Sequence, residues 1–255
     1  MTETGKKKRP RIYLLDELRG FAILCMVFYH AFYTIGIFFN WDWGRKLLDF
    51  FTPAEPFFAG LFIFISGICS NLSHSNIARG AKLFFIAYIL TVVTYFAVGS
   101  DSAIRFGILH MLSICMMLYG IFSKICKLIP MWVGIIINVA LFIITFKVTS
   151  GYLEIPFLWR FNLPAEWYQT DFLYPLGFAG RGFISSDYFA LLPWLFLFFA
   201  GGYFGRLAVQ KKFPKMAYKN YVPFFSFLGK YSLIIYLAHQ PVIFGICEGI
   251  RYIIK

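Results

Sequence analysis

Charged side chains are scarce in this sequence, and acidic ones are scarcer than basic ones. Only 14% of its 255 residues are charged, with 24 lysines and arginines against 12 aspartates and glutamates, whereas 60% are hydrophobic. A soluble domain of this length does not need so few charges, so the composition argues against a soluble fold. The positive excess is typical of the cytoplasmic loops of membrane proteins, and we therefore expect no nucleic-acid partner.

Cysteine pairs with metal-binding or redox spacing are also missing. The five cysteines lie in or beside apolar runs, and no two of them form a CxxC pair. Their simplest interpretation is that of small, buried hydrophobic side chains. We therefore expect neither a structural disulfide nor a metal cofactor.

What the sequence does contain is a series of long apolar runs. A run of about 20 apolar residues is long enough to cross the hydrocarbon core of a bilayer. The sequence therefore predicts an all-α, polytopic membrane helical bundle with about seven transmembrane helices. The predicted spans are residues 13–39, 56–72, 83–98, 106–122, 129–146, 188–207 and 231–250.

The sequence also allows predictions for the segments outside these spans. Residues 1–10 are polar and basic and are expected to be disordered, whereas residues 11–255 form a single transmembrane domain. Residues 47–51 are predicted to form a short interfacial helix. The long connection at 147–187 is interpreted either as a functional extracytoplasmic loop or as an aromatic belt at the membrane surface. An eighth, re-entrant segment near 172–178 is a further alternative.

The distribution of lysine and arginine predicts the orientation. These residues concentrate before the first span and after the second, fourth and sixth spans. Positive charge is retained on the cytoplasmic side, so the N-terminus is predicted to be cytoplasmic and the C-terminus extracytoplasmic. Small residues at Gly201, Gly202 and Gly205 permit close helix pairing, which makes a homodimer a candidate assembly.

Three histidines lie within apolar spans, where a polar side chain needs a reason. They are His30, His110 and His239, and Asp187 marks the outer start of the sixth span. One interpretation is that each histidine makes a hydrogen bond between helices. The other is a proton-handling site, because imidazole titrates near neutrality and acts as a general base. On the second interpretation His30, His110 and Asp187 share an outward-facing cavity.

The first span also carries a buried charge. Arg19 precedes His30 by eleven positions, so on a helix both side chains lie on one face, about 16 Å apart along the axis. An arginine in this setting is a candidate clamp for phosphate or carboxylate. The alternative is a local ion pair between Asp16 and Arg19, which are three residues apart. These groups alone leave an enzyme, a transporter and a lipid-binding protein as possible functions.

Five sequence runs, in order, narrow this choice. They are RIYLLDELRGFAILCMVFYH (11–30), FFAGLFIFISG (57–67), FGILH (106–110), DYFALLPW (187–194) and LGKYSLIIYLAHQP (228–241). Together they resemble the heparan-alpha-glucosaminide N-acetyltransferase catalytic-domain family, within the transmembrane acyltransferase superfamily. The superfamily signature is an arginine, ten residues and a histidine, which Arg19 and His30 match.

The resemblance implies an acetyltransferase that takes acetyl-CoA from the cytoplasm as co-substrate and acetylates an extracytoplasmic amino sugar or glycan. The alternative function is a transporter or exporter of an anionic or glycan substrate with a buried proton relay. As an enzyme, the chain is expected to use one group of residues in catalysis and another to bind the cofactor. The catalytic candidates are His30, Asp187, His110 and His239; the cofactor-binding candidates are Arg19, Asp16, Gln240, Lys211 and Lys212.

The sequence also departs from the family pattern. The animal lysosomal enzyme of that family has its active histidine in the loop after the first span, and residues 40–55 of this chain contain no histidine. Heparan sulfate is therefore not carried over as the acceptor, and His30 is the preferred catalytic residue by similarity to the wider superfamily. The compact form favours the plasma membrane of a bacterium. The sequence chooses neither the acceptor nor N- over O-acetylation, and it does not decide between direct transfer and an acetyl-enzyme.

Overall fold

The computed structural model describes residues 10–100, 102–170, 172–180 and 182–254. The expected disordered start at 1–10 lies outside these ranges except for Pro10. Seven helical segments within them are long and apolar enough to cross a membrane. This confirms the predicted all-α, multi-pass fold. The seven segments are Tyr13–Phe38, Asp42–Ser70, Asn76–Val98, Ile108–Leu128, Met131–Ser150, Leu191–Val209 and Ser232–Ile253.

The described residues form ten α-helices and one β-hairpin. The helices are α1 (Tyr13–Tyr33), α2 (Asp42–Phe51), α3 (Glu55–Ser70), α4 (Asn76–Val98), α5 (Ile108–Leu128), α6 (Met131–Thr145), α7 (Leu191–Phe204), α8 (Arg206–Val209), α9 (Pro223–Lys230) and α10 (Ser232–Ile254), and the strands are β1 (Tyr152–Ile155) and β2 (Trp159–Asn162). The chain divides into two compact units, the first comprising Met1–Phe62 with Phe213–Lys255 and the second comprising Ile63–Lys212.

The first unit is built on a very close approach between α1 and α9. A Cβ atom on Gly20 would lie 1.9 Å from the carbonyl oxygen of Phe225, and one on Gly229 would lie 1.9 Å from that of Asp16. The buried carboxylate of Glu17 accepts hydrogen bonds from the backbone N–H groups of Tyr221 and Val222, at 2.7 and 3.0 Å. These bonds satisfy orphan donors at the start of α9 and hold that helix against α1.

The end of α1 is irregular. The helix continues as a π-helix over Thr34–Phe38, and α2 begins at Asp42. Gly36 and Gly44 let these segments touch, since a Cβ atom on Gly44 would lie 2.8 Å from the backbone nitrogen of Gly36. The predicted interfacial helix at 47–51 is thus part of a longer helix that starts five residues earlier.

In the second unit, glycines bring α3 and α7 together. A Cβ atom on Gly67 would lie 2.0 Å from the carbonyl oxygen of Phe198, and one on Gly201 would lie 2.1 Å from that of Phe64. Gly202 contacts the Tyr119 ring in the same way. The small-residue face that was a candidate for homodimer formation is therefore used for packing inside one chain.

The long connection after α6 is partly ordered. Strands β1 and β2 pair in antiparallel register, with Glu154 opposite Arg160. The segment at 172–178, an alternative eighth span, contains in its described residues a single 3-10 turn, Tyr174–Leu176, and no longer helix. The OH group of Tyr188 donates to the carbonyl oxygen of Tyr174 at 2.6 Å, and burial raises the pKa of this phenol.

Candidate functional site

Two of the predicted catalytic histidines meet inside the first unit. His30 lies in the last turn of α1 and His239 lies in α10, and their ring centroids are 5.0 Å apart with the planes inclined at 51°. His239 is 8% exposed. The structure therefore brings together two imidazoles that are distant in the sequence, on helices that are otherwise strongly apolar.

The ring of His239 is oriented by its own helix. Its Nδ1 atom lies 2.5 Å from the carbonyl oxygen of Tyr236, one turn earlier. A carbonyl only accepts, so Nδ1 carries the hydrogen and Nε2 is the basic nitrogen of the neutral ring. This hydrogen bond fixes the tautomer of His239.

Gln240 is held beside these histidines by a residue that the sequence analysis did not single out. The hydroxyl of Thr34 donates to Oε1 of Gln240 at 3.1 Å, and Thr34 is almost fully buried. Because the amide oxygen is engaged in this way, the Nε2 group of Gln240 is directed elsewhere as a donor. Thr34 opens the π-helix, an irregularity that is frequent at functional sites, and a buried threonine at the end of a span is the signal that would have found it.

The cofactor-binding candidates at the start of α1 form a small charge cluster. Nε of Arg11 lies 2.7 Å from Oδ2 of Asp16, and Nη1 of Arg19 lies 3.9 Å from Oδ1 of the same carboxylate. The predicted ion pair between Asp16 and Arg19 is thus present but long, and the closer partner is Arg11. Asp16 therefore lies between two arginines, and its carboxylate offsets part of their positive charge.

The third histidine lies in the second unit, where it helps to begin α5. His110 is 5% exposed, and its Nδ1 accepts from the backbone N–H of Gly107 at 3.3 Å. Nε2 then carries the hydrogen and faces the hydroxyl oxygen of Thr91, also at 3.3 Å. Both ring nitrogens therefore have neighbours within the protein, as expected if His110 makes hydrogen bonds that join helices.

Asp187 serves the same helix terminus. Its Oδ2 accepts from the backbone N–H of Ile108 at 3.2 Å, and the side chain is buried. A Cβ atom on Gly107 would lie 2.3 Å from that oxygen, so a larger residue here would displace the Asp187 side chain. The structure brings Asp187 and His110 together at the start of α5, and their sharing of a cavity with His30 stays a prediction.

The two remaining cofactor candidates lie at the surface of the second unit. Lys211 and Lys212 are exposed and form the turn after α8, directly after Gln210, which lines a cavity. Across the described ranges, no cluster of three or more histidine, cysteine, aspartate or glutamate side chains has the geometry to hold a metal ion.

Comparison with known proteins identifies the family of the chain. Residues 11–241 match the family model described as heparan-alpha-glucosaminide N-acetyltransferase, catalytic. No curated protein and no solved structure matches the sequence. The matched region contains all seven helical segments up to the middle of the last one, together with both histidine sites. The chain therefore belongs to the heparan-alpha-glucosaminide N-acetyltransferase catalytic-domain family.

Proposed function

We propose that this protein transfers an acetyl group from cytoplasmic acetyl-CoA to an amino or hydroxyl group of an extracytoplasmic sugar or glycan. Membership of the family implies an acetyltransferase, and the seven apolar segments make it a multi-pass membrane protein. The observation that carries the proposal is the His30–His239 pair, with ring centroids 5.0 Å apart and the amide of Gln240 on the neighbouring position. We place the protein, as part of this proposal, in the plasma membrane of a bacterium.

In this proposal His30 is the general base. A nitrogen of its imidazole takes the proton from the acceptor N–H or O–H while the acceptor attacks the thioester carbonyl. The tetrahedral intermediate then collapses, its C–S bond breaks, and the CoA thiolate takes the proton from His30. We assign to His239 the stabilisation of protonated His30, because its basic nitrogen is Nε2 and its Nδ1–H is already bound.

Gln240 is assigned to the developing negative charge. An amide N–H that points at the carbonyl oxygen of the thioester stabilises the oxyanion more than the ground state, which lowers the barrier. The hydrogen bond from Thr34 to Oε1 supports this assignment, since it leaves the N–H groups as the reactive end of the side chain. His110 and Asp187 are assigned to positioning the start of α5 through the bonds described above.

The first helix also fits the delivery of the donor. Arg19 and His30 lie on the uninterrupted helix α1 and are eleven positions apart, so the helix rises by about 16 Å from one to the other, comparable to an extended pantetheine arm. We infer that a donor phosphate near Arg19 allows the thioester to reach His30. Delivery of the donor along α1 requires the orientation predicted from the positive charges, in which the start of α1 lies on the cytoplasmic side.

The direct test measures acetyl transfer by purified protein in nanodiscs. Radiolabelled acetyl-CoA is supplied with a panel of amino sugars, and release of free CoA and labelled sugar are both followed. His30→Ala is expected to lower the rate by about 10²–10⁴-fold, which is the usual contribution of a general base.

The matched control is Phe28→Ala, on the same helix with a side chain that is 47% exposed. This variant is expected to transfer acetyl at the wild-type rate. Full transfer by His30→Ala would remove this residue from the mechanism, and the absence of transfer by the wild-type protein across the panel would favour the transporter.

A further inference from the structure

The second unit contains a polar cavity at one end of its membrane-spanning helices. Its volume is about 650 Å³, and it lies where the turn between α3 and α4 meets the end of α5 and the segment around α8. Four of the segments that are long enough to cross a membrane therefore begin or end beside it, at Ser70, Asn76, Leu128 and Val209. The ends of such helices lie at the depth of the lipid headgroups, so the cavity opens at the boundary between hydrocarbon and water.

The charge of the cavity is positive. Lys127 and Arg206 line it together with His74, and the lining residues that the structure describes include no carboxylate. Neither Lys127 nor Arg206 belongs to any of the ion pairs found in the described ranges. A basic pocket between the ends of transmembrane helices is suited to an anionic lipid headgroup.

Helix α4 adds to this positive field. Its 23 residues begin at Asn76, and the hydroxyl of Ser75 caps it by accepting from the N–H of Ala78 at 3.2 Å. Both Ser75 and Asn76 line the cavity, so the positive end of the α4 dipole faces it. An anion in the cavity would be stabilised by the helix as well as by the cationic side chains.

Two buried oxygen atoms at the cavity have no hydrogen-bond partner among the described residues. They are Oγ of Ser73 and Oδ1 of Asn76. Buried polar atoms are normally paired, so each calls for a group that the protein itself does not supply. The amide of Asn76 donates from Nδ2 to the carbonyl oxygen of Ser70 at 3.0 Å, and its Oδ1 can only accept. A fitting ligand therefore offers an anionic oxygen to the Ser73 hydroxyl and a hydrogen-bond donor to Asn76.

The border of the cavity is apolar and exposed. Ile77 and Val209 line it, with exposed fractions of 48% and 43%. A soluble phosphate would gain nothing from these side chains, whereas the acyl chains of a phospholipid would cover them. The combination of a charged interior and an apolar border favours a ligand that is itself amphipathic.

The polar wall is held in place before any ligand arrives. Arg206 donates from Nη1 to the carbonyl oxygen of Ile129 at 2.8 Å and from Nη2 to that of Cys126, at the end of α5. Tyr119 donates to Oδ1 of Asn71 at 3.2 Å. These bonds fix the guanidinium and the amide, which reduces the entropy lost on binding.

We propose that this cavity binds the headgroup of an anionic phospholipid that carries a hydroxyl group, such as phosphatidylglycerol. The phosphodiester lies between Lys127 and Arg206 and accepts from the Ser73 hydroxyl. A hydroxyl of the headgroup donates to Oδ1 of Asn76, and the acyl chains lie against the apolar border. The bound lipid joins the α3–α4 turn to α5 and α8, and this role is independent of the identity of the acyl donor.

The test measures lipid binding to the purified full chain in dodecyl maltoside by native mass spectrometry. The probes are phosphatidylglycerol, phosphatidylcholine and phosphatidylmethanol with identical acyl chains. Phosphatidylglycerol is expected to bind about tenfold more tightly than phosphatidylcholine, whose headgroup cation is repelled by the basic side chains. Phosphatidylmethanol, an anionic phosphodiester without the hydroxyl, is expected to bind about threefold less tightly than phosphatidylglycerol, because one hydrogen bond is lost.

A pair of lysine variants tests the position of the site. Lys127→Ala is expected to weaken binding of phosphatidylglycerol by about fivefold or more, since one cation beside the phosphate is removed. The matched control is Lys124→Ala, one turn earlier on α5 and also exposed, which does not line the cavity and is expected to bind like the wild type.

Each contrary outcome overturns a stated part of the proposal. Equal binding of phosphatidylglycerol by the wild type and Lys127→Ala, or equal losses in the two lysine variants, would overturn the site. Equal binding of phosphatidylglycerol and phosphatidylmethanol would overturn the role of Asn76. Displacement of phosphatidylglycerol by an equal concentration of glycerol 3-phosphate would identify a soluble phosphate ester as the occupant and overturn the assignment to a lipid. Lipid binding that depends on Lys127 would support the site whether or not the protein transfers acetyl groups.

Discussion

The histidines in the two units of this protein are alike in sequence setting and different in structure. His110 lies at the start of α5 with Gly107 N–H at one ring nitrogen and the Thr91 hydroxyl at the other. In the first unit, the ring of His30 lies against the ring of His239. The Nδ1 atom of His239 is bonded to the carbonyl oxygen of Tyr236, which fixes the tautomer and makes Nε2 the basic nitrogen. The hydrogen bonds of His110 match the structural interpretation, whereas the contact between His30 and His239 makes that pair our candidate for the chemistry.

After the loss of activity expected for His30→Ala, the next largest loss is expected for a substitution of Gln240. Gln240→Ala removes the proposed donor to the oxyanion and should lower kcat by about 10²–10³-fold. The KM for acetyl-CoA should change little, because the interaction forms in the transition state. Steady-state kinetics check this, and Thr34→Val, which frees Oε1 but keeps the amide, should give a smaller loss of kcat. A loss confined to KM would contradict the role.

The packing of α1 in the first unit provides the next largest effect. Gly20→Ala places a methyl group 1.9 Å from the carbonyl oxygen of Phe225, and backbone atoms on both sides must move. We expect the free energy of unfolding to fall by about 1–3 kcal/mol, the usual cost of overpacking. Gly245→Ala in α10 is the control, since its Cβ atom meets nothing within 4 Å. Unfolding in SDS titration measures both, and equal stability of the two variants would contradict the close approach.

The smallest effect is expected in the second unit. His110→Ala removes the acceptor for Gly107 N–H and the partner of Thr91, which should lower the free energy of unfolding by about 1–2 kcal/mol. The folded fraction of this variant should still transfer acetyl at a rate close to the wild type. Thermal unfolding followed by activity at a lower temperature separates these two quantities, and a stable but inactive variant would assign His110 to the chemistry.

The sequence predicted the spans because bilayer thickness acts directly on the length of apolar runs. The predicted span at 231–250 corresponds to α10, and the one at 83–98 falls within α4. The short helix α9 escaped prediction, since its eight residues are too few for a clear period and its position depends on Glu17.

The candidate residues were easier to find than to interpret. Burial of an ionisable group in an apolar run is visible in a sequence, so His30, His110 and His239 all emerged together. Their partners are set by packing between helices that are far apart in the chain, as in the contact of His30 with His239. The polar cavity was missed for the same reason, because Ser73 and Asn76 meet Lys127 only after α4 folds onto α5.

The most direct test of the account compares the two histidines in one assay. The initial rate of acetyl transfer is measured for His30→Ala and His110→Ala, each normalised to the amount of folded protein. The account predicts that His30→Ala loses about 10²–10⁴-fold, while His110→Ala stays near the wild-type rate. Wild-type transfer by His30→Ala, together with loss of transfer by folded His110→Ala, would contradict it.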